Sequence, residues 1–158
     1  MIKLFISDVD GVLTDGSMYY TENGDEFKRF NTYDGMAFQI LRERGVKTAI
    51  ITSENTSIVS KRAQKMGIDF LYQGQKNQGK LSAAREICKH NNISFENICY
   101  IGDDINCFEL LSNVNYSACP SNAVSEIKEI PNIKILDTKG GSGAVREYVN
   151  ELIIEGLI

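Results

Sequence analysis

Short apolar segments of strand length alternate with helix-like segments along this chain, and the alternation restricts the folds it can adopt. The predicted strands cover residues 3–7, 46–52, 70–72, 98–101, 116–118 and 133–136. The predicted helices cover residues 36–45, 56–66, 81–91, 123–129 and 144–154, with a short one ending near residue 111. Strands that alternate with helices favour a parallel sheet covered on both faces. We therefore expect a three-layer α/β protein.

The chain has the size of one domain. Its 158 residues can bury a core of their own, and no linker, repeat or low-complexity tract divides them. One interruption lies at residues 17–30, where two short strand-like segments flank Asn23-Gly24. Asn-Gly strongly favours a tight hairpin turn. We predict a single domain over residues 1–158, with a small β-hairpin flap at residues 17–30.

Acidic and hydroxyl side chains follow three of the predicted strands. Asp8 and Asp10 follow the first strand, Thr52 and Ser53 end the second, and Asp103-Asp104 follows the strand at residues 98–101. Ligands of parallel α/β sheets bind at the carboxyl ends of the strands. Carboxylates gathered there would repel one another unless a cation lay between them, and Mg²⁺ prefers such oxygen ligands. One such cluster could be a solvated turn, but three together predict a magnesium site.

Four segments resemble the motifs of the haloacid dehalogenase (HAD) superfamily. Asp8-Val9-Asp10-Gly11-Val12-Leu13-Thr14 resembles the first motif, Thr52 the second, Lys80 the third and Gly102-Asp103-Asp104 the fourth. The stretches at residues 72–75, 102–106 and 140–147 are similar to one branch, which dephosphorylates 3-deoxy-octulosonate (KDO) 8-phosphate and nine-carbon KDN or sialic-type 9-phosphates. The resemblance implies a Rossmann-like three-layer sandwich and a phosphatase without a large cap domain.

The resemblance also assigns roles to individual residues. Asp8 would attack phosphorus and form an aspartyl-phosphate, while Asp10 would act as general acid and then as general base. Magnesium would bind Asp8, the backbone carbonyl of Asp10 and Asp103, and Asp104 would orient Lys80 or a metal-bound water. The groups expected to hold phosphate or substrate are Thr52, the backbone N–H of Ser53, Lys80 and Asn106.

Two positions depart from the superfamily pattern. Cys107 stands where the pattern often carries an aspartate that supports the metal site, so we expect weaker support there without loss of a direct ligand. The segment from Gly74 to Lys80 is slightly longer than the pattern, which leaves Lys76 as an alternative phosphate-binding lysine. Lys80 is preferred because the helix-like sequence after it matches the family.

Three further side chains bear on the choice of substrate. Glu54 occupies a position where branch members acting on eight-carbon acids tend to carry Arg and those acting on nine-carbon acids tend to carry Glu. Arg62 and Lys65 also resemble the nine-carbon group. We therefore expect a nine-carbon 9-phosphate to be favoured over KDO 8-phosphate, unless Glu54 is only a surface charge that opens the next helix.

A chain without a cap domain must cover a small substrate in another way. Branch members form tetramers in which neighbouring hairpins and C-terminal tails cover the site, so the resemblance implies a homotetramer. The hairpin carries five large apolar side chains, Met18, Tyr19, Tyr20, Phe27 and Phe30. They favour burial against neighbouring copies or, alternatively, against the hairpin's own domain.

Charge and composition narrow the partners and the location. The formal net charge of −4 gives no electrostatic attraction to nucleic acid or to an anionic membrane. No apolar stretch reaches membrane-spanning length, and Asp8 and Asp10 interrupt the first apolar run, unlike the core of a signal peptide. The four cysteines lack Cys-x-x-Cys spacing. We expect a cytoplasmic protein with reduced thiols and a phosphorylated sugar acid as its small-molecule substrate.

Three other functions stay open at this point. The chain could be a non-catalytic assembly module, like relatives associated with sialic-acid cytidylyltransferases. The segment at residues 74–81 nearly matches the phosphate loop of nucleotide hydrolases, but Leu81 replaces the hydroxyl residue that binds magnesium. A phospho-accepting receiver domain needs a similar acidic pocket, but its phospho-accepting aspartate follows the third strand.

Overall fold

The computed structural model describes residues 1–158 and has a six-stranded parallel sheet with helices on both faces. The strands are β1 (Leu4–Ser7), β2 (Tyr19–Tyr20), β3 (Glu26–Phe27), β4 (Lys47–Ile51), β5 (Phe70–Tyr72), β6 (Ile98–Ile101), β7 (Tyr116–Cys119) and β8 (Lys134–Ile135). The α-helices are α1 (Thr32–Glu43), α2 (Ser57–Met66), α3 (Gly79–Asn91), α4 (Phe108–Asn113), α5 (Ser125–Lys128) and α6 (Ala144–Ile154). The sheet order is β5-β4-β1-β6-β7-β8, and all of its pairs are parallel. The predicted fold class is confirmed.

Side chains of the central strands alternate between two separate cores. Phe5 of β1 lies in the core shared with α1, α2 and α6, whereas Leu4 and Ile6 lie in the core shared with α3, α4 and α5. This alternation follows from the pleat of a strand, in which successive side chains emerge on opposite faces. Because apolar side chains occupy both faces, polar functional groups are restricted to the strand ends.

Two helices begin earlier than the apolar pattern predicted. α1 begins at Thr32 because the Asn31 side chain accepts a hydrogen bond from the Tyr33 N–H and caps the first turn. α3 begins at Gly79, which places Lys80 in its first turn. The predicted short helix before residue 111 is split into a 3-10 turn, Ile105–Cys107, and α4. None of the helices has the length and apolarity needed to cross a bilayer.

The predicted hairpin is present, but its paired strands are only two residues long. β2 and β3 run antiparallel, with Tyr19 opposite Phe27 and Tyr20 opposite Glu26. Its exposed apolar side chains are Met18, Tyr19, Tyr20 and Phe27. Phe30 instead packs against the core shared with α1, α2 and α6. Packing against its own domain therefore accounts for Phe30 and leaves the other four side chains in water.

A buried carboxylate joins α1 to α6. Asp34 is 1% exposed, and its Oδ1 accepts a hydrogen bond of 3.1 Å from the Arg146 N–H in the first turn of α6. Its Oδ2 is buried without a hydrogen-bond partner. Burial raises the pKa of Asp34 to about 6, although backbone N–H groups of the α6 segment and the charge of Arg62 act in the opposite direction. The folded protein therefore binds a proton at Asp34 more tightly than the unfolded chain does.

The contribution of Asp34 to stability should decrease as the pH rises. Its pKa is higher in the folded state, so folding disfavours the charged form, and the full cost is present above the folded pKa of about 6. An amide cannot ionise, so Asp34→Asn does not carry this pH-dependent cost. The free energy of unfolding of the variant minus that of wild type should therefore rise by on the order of 2 kcal/mol between about pH 4 and pH 7. Urea unfolding at a series of pH values measures this difference. A difference that is constant with pH would contradict the assignment.

Candidate active site

A polar cavity of about 190 Å³ lies at the carboxyl ends of β1, β4 and β6. Its lining residues are Asp8, Asp10, Gly11, Gly16, Thr52, Ser53, Glu54, Asp103, Asp104 and Asn106, none of which is hydrophobic. The three strands are neighbours in the sheet, so the side chains that follow them meet at one edge. The structure thus brings together the acidic and hydroxyl groups that the sequence placed at three strand ends.

Asp8 is held in a buried ion pair with Lys80. The Lys80 Nζ lies 2.5 Å from Asp8 Oδ2, and Asp8 Oδ1 accepts a hydrogen bond of 2.8 Å from the Val9 N–H. Burial, the largest single effect, would lower the pKa of Lys80, but the charges and hydrogen bonds of Asp8 and Cys107 together raise the pKa above its usual value. Lys76 is exposed, whereas Lys80 is 1% exposed. Lys80 is therefore the lysine that reaches the site.

Cys107 contacts both members of this ion pair. Its thiol donates a hydrogen bond of 2.9 Å to Asp8 Oδ2, and its Sγ lies 3.2 Å from Lys80 Nζ. Burial and the charge of Asp8 raise the pKa of Cys107 to about 12, so it keeps its proton. The sulfur lies within 4.8 Å of ligand oxygens of Asp8 and Asp103. A protonated thiol is a poor ligand for Mg²⁺, so Cys107 supports Asp8 by hydrogen bonding instead.

Negative charge accumulates around Asp103. Burial and the charges of Asp8 and Asp104 raise the pKa of Asp103 to about 7. In the same cavity, the Oδ2 of Asp10 is buried and has no hydrogen-bond partner. A hard cation would relieve the repulsion between these carboxylates, because such a cation prefers carboxylate and carbonyl oxygens as ligands. The residues therefore fit Mg²⁺, with Asp8, Asp103 and the Asp10 backbone carbonyl as the groups that would hold it.

Asp104 and Asn106 organise the loop after β6. Asp104 is exposed, and its Oδ1 accepts a hydrogen bond of 2.7 Å from the Ile105 N–H at the start of the 3-10 turn. Lys80 makes its side-chain hydrogen bonds with Asp8 and Cys107 rather than with Asp104. The role of Asp104 toward a metal-bound water stays a prediction. Asn106 Nδ2 donates a hydrogen bond of 2.9 Å to Ser53 Oγ, which links the loops after β6 and β4.

The predicted substrate-selecting residues lie in two places. Glu54 lines the cavity. Arg62 and Lys65 line a separate groove between α1 and α2. Arg62 Nη2 donates a hydrogen bond of 3.1 Å to the Asn31 carbonyl, and its guanidinium lies over the Phe30 ring at 5.4 Å. The structure of one chain therefore does not bring Arg62 or Lys65 to the phosphate-binding residues, because the face of α2 that carries them is directed toward α1.

Lys28 is a site residue that the sequence analysis missed. It follows β3, and its Nζ lies 2.6 Å from Asp10 Oδ1 and 3.3 Å from Glu26 Oε1. Its side chain is 1% exposed. Burial alone would lower the pKa of Lys28, but the hydrogen bonds and charges of Asp10 and Glu26 raise it above its usual value. One signal in the sequence could have found this residue. The hairpin comes directly after the first motif, so it is placed to fold back over that motif, and Lys28 is a cation within the hairpin.

Glycines allow the loop after β1 to pack closely against the site. Gly11 has φ +83°, and a Cβ there would lie 1.8 Å from Asp103 Oδ2. A Cβ on Gly140 would lie 1.9 Å from the Gly11 carbonyl oxygen. Asn122 connects the two, because its Nδ2 donates to the Gly11 carbonyl and its Oδ1 accepts from the Gly140 N–H. The glycine-rich segment before α6 is therefore part of the wall that positions the first motif.

Comparison with known proteins gives consistent matches over the whole chain. Two family profiles described as haloacid dehalogenase-like hydrolase match residues 30–108 and 73–146. The 3-deoxy-D-manno-octulosonate 8-phosphate phosphatase KdsC of Escherichia coli K12 is 37% identical over 154 residues, which cover 97% of this chain and 80% of the relative.

Solved structures give the same result. The structure of a probable YrbI family phosphatase from Pseudomonas syringae pv. phaseolica 1448a superposes with a TM-score of 0.91 at 39% identity, covering 99% of this chain and 86% of the other. That of the KDO 8-phosphate phosphatase from Moraxella catarrhalis, which contains magnesium, phosphate and KDO, has a TM-score of 0.89 at 35% identity, covering 98% and 86%.

Substitution of Gly11 should weaken metal binding through Asp103. The new Cβ of Gly11→Ala would collide with Asp103 Oδ2, so that carboxylate must move. We expect Mg²⁺ affinity to fall by about 10- to 100-fold, the loss typical of a disturbed metal-site partner. Isothermal titration calorimetry of the purified protein measures it.

Gly24→Ala is the matched control for this experiment. Gly24 has nearly the same φ, +85°, but no atom lies within 4 Å of the position that a Cβ would take there. Both variants carry the same backbone strain, of about 1 kcal/mol, but only one collides with a carboxylate. Equal Mg²⁺ affinities for the two variants would show that the close approach of Gly11 to Asp103 does not matter for the metal.

Proposed function

Since this chain belongs to the haloacid dehalogenase-like hydrolases and is a phosphoric monoester hydrolase, we propose that it removes the terminal phosphate of a 2-keto-3-deoxy sugar acid. The observation that carries the proposal is the cavity in which Asp8, paired with Lys80, lies beside Asp10 and Asp103. The similarity to KDO 8-phosphate phosphatases supports the substrate class.

The reaction would proceed in two steps on Asp8. An Asp8 carboxylate oxygen forms a bond to phosphorus while the bond from phosphorus to the sugar oxygen breaks. Asp10, which must carry a proton at the start of this step, gives that proton to the leaving sugar oxygen. Water then attacks the aspartyl-phosphate, and Asp10 takes a proton from the water. This step releases inorganic phosphate, frees the Asp8 carboxylate and leaves Asp10 protonated again.

The remaining groups of the site would bind and orient the phosphate. Lys80, Thr52 and the Ser53 N–H would donate hydrogen bonds to the phosphate oxygens. Mg²⁺, held by Asp8, Asp103 and the Asp10 carbonyl, would offset the combined negative charge of phosphate and nucleophile. Asn106 would keep Ser53 in place through its hydrogen bond to Ser53 Oγ.

Replacement of the nucleophile gives the first test of this mechanism. Asp8→Asn should reduce phosphate release by at least about 10³-fold, because the amide cannot form the phospho-enzyme. The variant should fold with reduced stability, since Lys80 then lacks its anionic partner. Phosphate release from a panel of eight- and nine-carbon sugar-acid phosphates, with circular dichroism as the folding check, measures both effects.

Asp137→Asn makes the same chemical change at an exposed position away from the cavity and should retain full activity. Substantial turnover by folded Asp8→Asn would exclude the mechanism. A wild-type protein that releases phosphate from no ester in the presence of Mg²⁺ would support the alternative of a non-catalytic assembly module.

Within this substrate class, we propose a preference for a nine-carbon KDN or sialic-type 9-phosphate. Two of the relatives above, from Escherichia coli and Moraxella catarrhalis, carry names that refer to the eight-carbon substrate, so the preference rests on Glu54. Glu54 lines the cavity, where its carboxylate can accept hydrogen bonds from sugar hydroxyls or an amine. An arginine there would instead attract the carboxylate of the substrate.

Glu54→Arg should shift the preference toward KDO 8-phosphate. We expect the ratio of kcat/KM for the nine-carbon over the eight-carbon substrate to fall by about tenfold or more, equivalent to one charged hydrogen bond. The kcat/KM for a small ester such as p-nitrophenyl phosphate should change little, which controls for damage to the phosphate site. A strong wild-type preference for KDO 8-phosphate would contradict the proposal.

We also propose a cytoplasmic homotetramer in which hairpins of neighbouring copies cover the cavity. The support for assembly is the exposure of the apolar hairpin side chains, which reaches 61% for Tyr20 and 59% for Phe27. Two-stranded hairpins are only marginally stable alone, and pairing with copies would bury that face. The support for the location is that all four cysteines are free and buried.

The assembly can be tested at micromolar concentration by light scattering. Wild type should have four times the monomer mass of 17.7 kDa, and Phe27→Lys should dissociate because it places a charge in the buried face. Ile135→Lys is the control, since Ile135 is a 47% exposed apolar residue on β8 rather than on the hairpin. A monomeric wild type would contradict the assembly and the shared lid.

A further inference from the structure

The hairpin contributes a buried cation to the acid–base residue of the site. Lys28 Nζ lies 2.6 Å from Asp10 Oδ1, and the Lys28 side chain is 1% exposed. Asp10 has no other side-chain hydrogen bond, and its Oδ2 is buried without a partner. The Asp10 carboxylate is therefore oriented in the cavity by a single hydrogen-bond partner, and that partner belongs to the hairpin.

We propose that Lys28 is a positioning residue for Asp10, through which the hairpin sets the place of the acid–base carboxylate. The inference rests on the proposed phosphatase function. Asp10 lies in a loop, and its side chain is 28% exposed, so without Lys28 other rotamers become accessible. A proton donor must lie within hydrogen-bond reach of the leaving oxygen, so loss of its orientation lowers the rate of the step that needs the proton.

A purely structural role for Lys28 must be separated from this one, because other contacts also tie the hairpin to the loop after β1. Arg29 Nη2 lies 3.5 Å from Asp15 Oδ2, and the Tyr19 hydroxyl donates to the same oxygen at 3.0 Å. Arg29 is adjacent to Lys28, binds the same loop and makes no contact with Asp10. It therefore supplies a matched control that removes a hairpin tether without disturbing Asp10.

The leaving group of the substrate distinguishes positioning from tethering. A sugar-acid phosphate is an alkyl ester whose leaving oxygen needs a proton, whereas the p-nitrophenolate of p-nitrophenyl phosphate leaves without one. For Lys28→Met we expect kcat/KM to fall by about 10- to 100-fold with the alkyl ester but by less than about threefold with the aryl ester. Lys28→Arg should recover part of the alkyl-ester activity, and Arg29→Met should change both rates by less than about threefold.

A double variant tests whether Lys28 acts through Asp10. If it does, adding Lys28→Met to Asp10→Asn should cause no further loss with the alkyl ester, because the group being positioned has already been removed. Additive losses would place the effect of Lys28 elsewhere.

Three results would overturn the inference. They are equal losses with the two esters, a loss in Arg29→Met as large as in Lys28→Met, and additivity in the double variant. If Lys28→Met does not fold, the ratio of the two ester rates in Lys28→Arg and Lys28→Gln decides in the same way. A wild type inactive on every ester would instead refute the proposed function, so the two failures are distinguishable.

Discussion

The buried ion pair between Asp8 and Lys80 is the constraint on which the rest of the site depends. Two opposite charges at 2.5 Å in a nearly closed environment stabilise each other only while both are present, and loss of one partner typically costs about 3–5 kcal/mol. The pair also joins distant parts of the chain, because Asp8 follows β1 and Lys80 lies in the first turn of α3. The Val9 N–H and the Cys107 thiol complete the hydrogen bonding of Asp8. The fold thus holds Asp8, the residue proposed as the nucleophile, in a fixed orientation beside a compensating cation.

Two carboxylates of the cavity, Asp8 and Asp10, are each paired with a lysine, whereas Asp103 is not. Lys80 meets Asp8, and Lys28 meets Asp10. Asp103 has no cation of its own in hydrogen-bond contact, and its pKa is raised to about 7 as a result of burial and of its acidic neighbours. A divalent cation is therefore needed at Asp103 more than at Asp8 or Asp10, the two residues proposed to react. This division explains how a protein of net charge −4 can accept an anionic phosphate ester, because Lys80 and Lys28 already compensate two carboxylates of the cavity.

Sequence reasoning found the residues whose position follows from topology. Asp8, Thr52 and Asp103 are set by the ends of parallel strands, and any α/β sheet with that strand order would gather them. It missed or misplaced residues whose position depends on tertiary packing. The contact of Lys28 with Asp10 requires the hairpin to fold back over the first motif. Arg62 is drawn to Asn31 and Phe30 by the packing of α2 on α1, and Asp104 caps a 3-10 turn that the apolar pattern did not reveal. Periodicity carries no information about such contacts, because they join elements rather than lie within one.

The hairpin links the question of assembly to that of catalysis. Its inner side holds Asp10 through Lys28, and its outer side exposes Tyr20 and Phe27 to water. Two-residue strands cannot hold a rigid shape by their own hydrogen bonds, so whatever contacts the outer side also limits the motion of the inner side. In a tetramer built through the hairpins, the neighbouring copies would then restrain Lys28, and through it Asp10, without touching the reacting atoms. A chain that lacks a cap domain would in this way use its own copies for two tasks at once, to exclude water from the cavity and to keep the acid–base carboxylate in place.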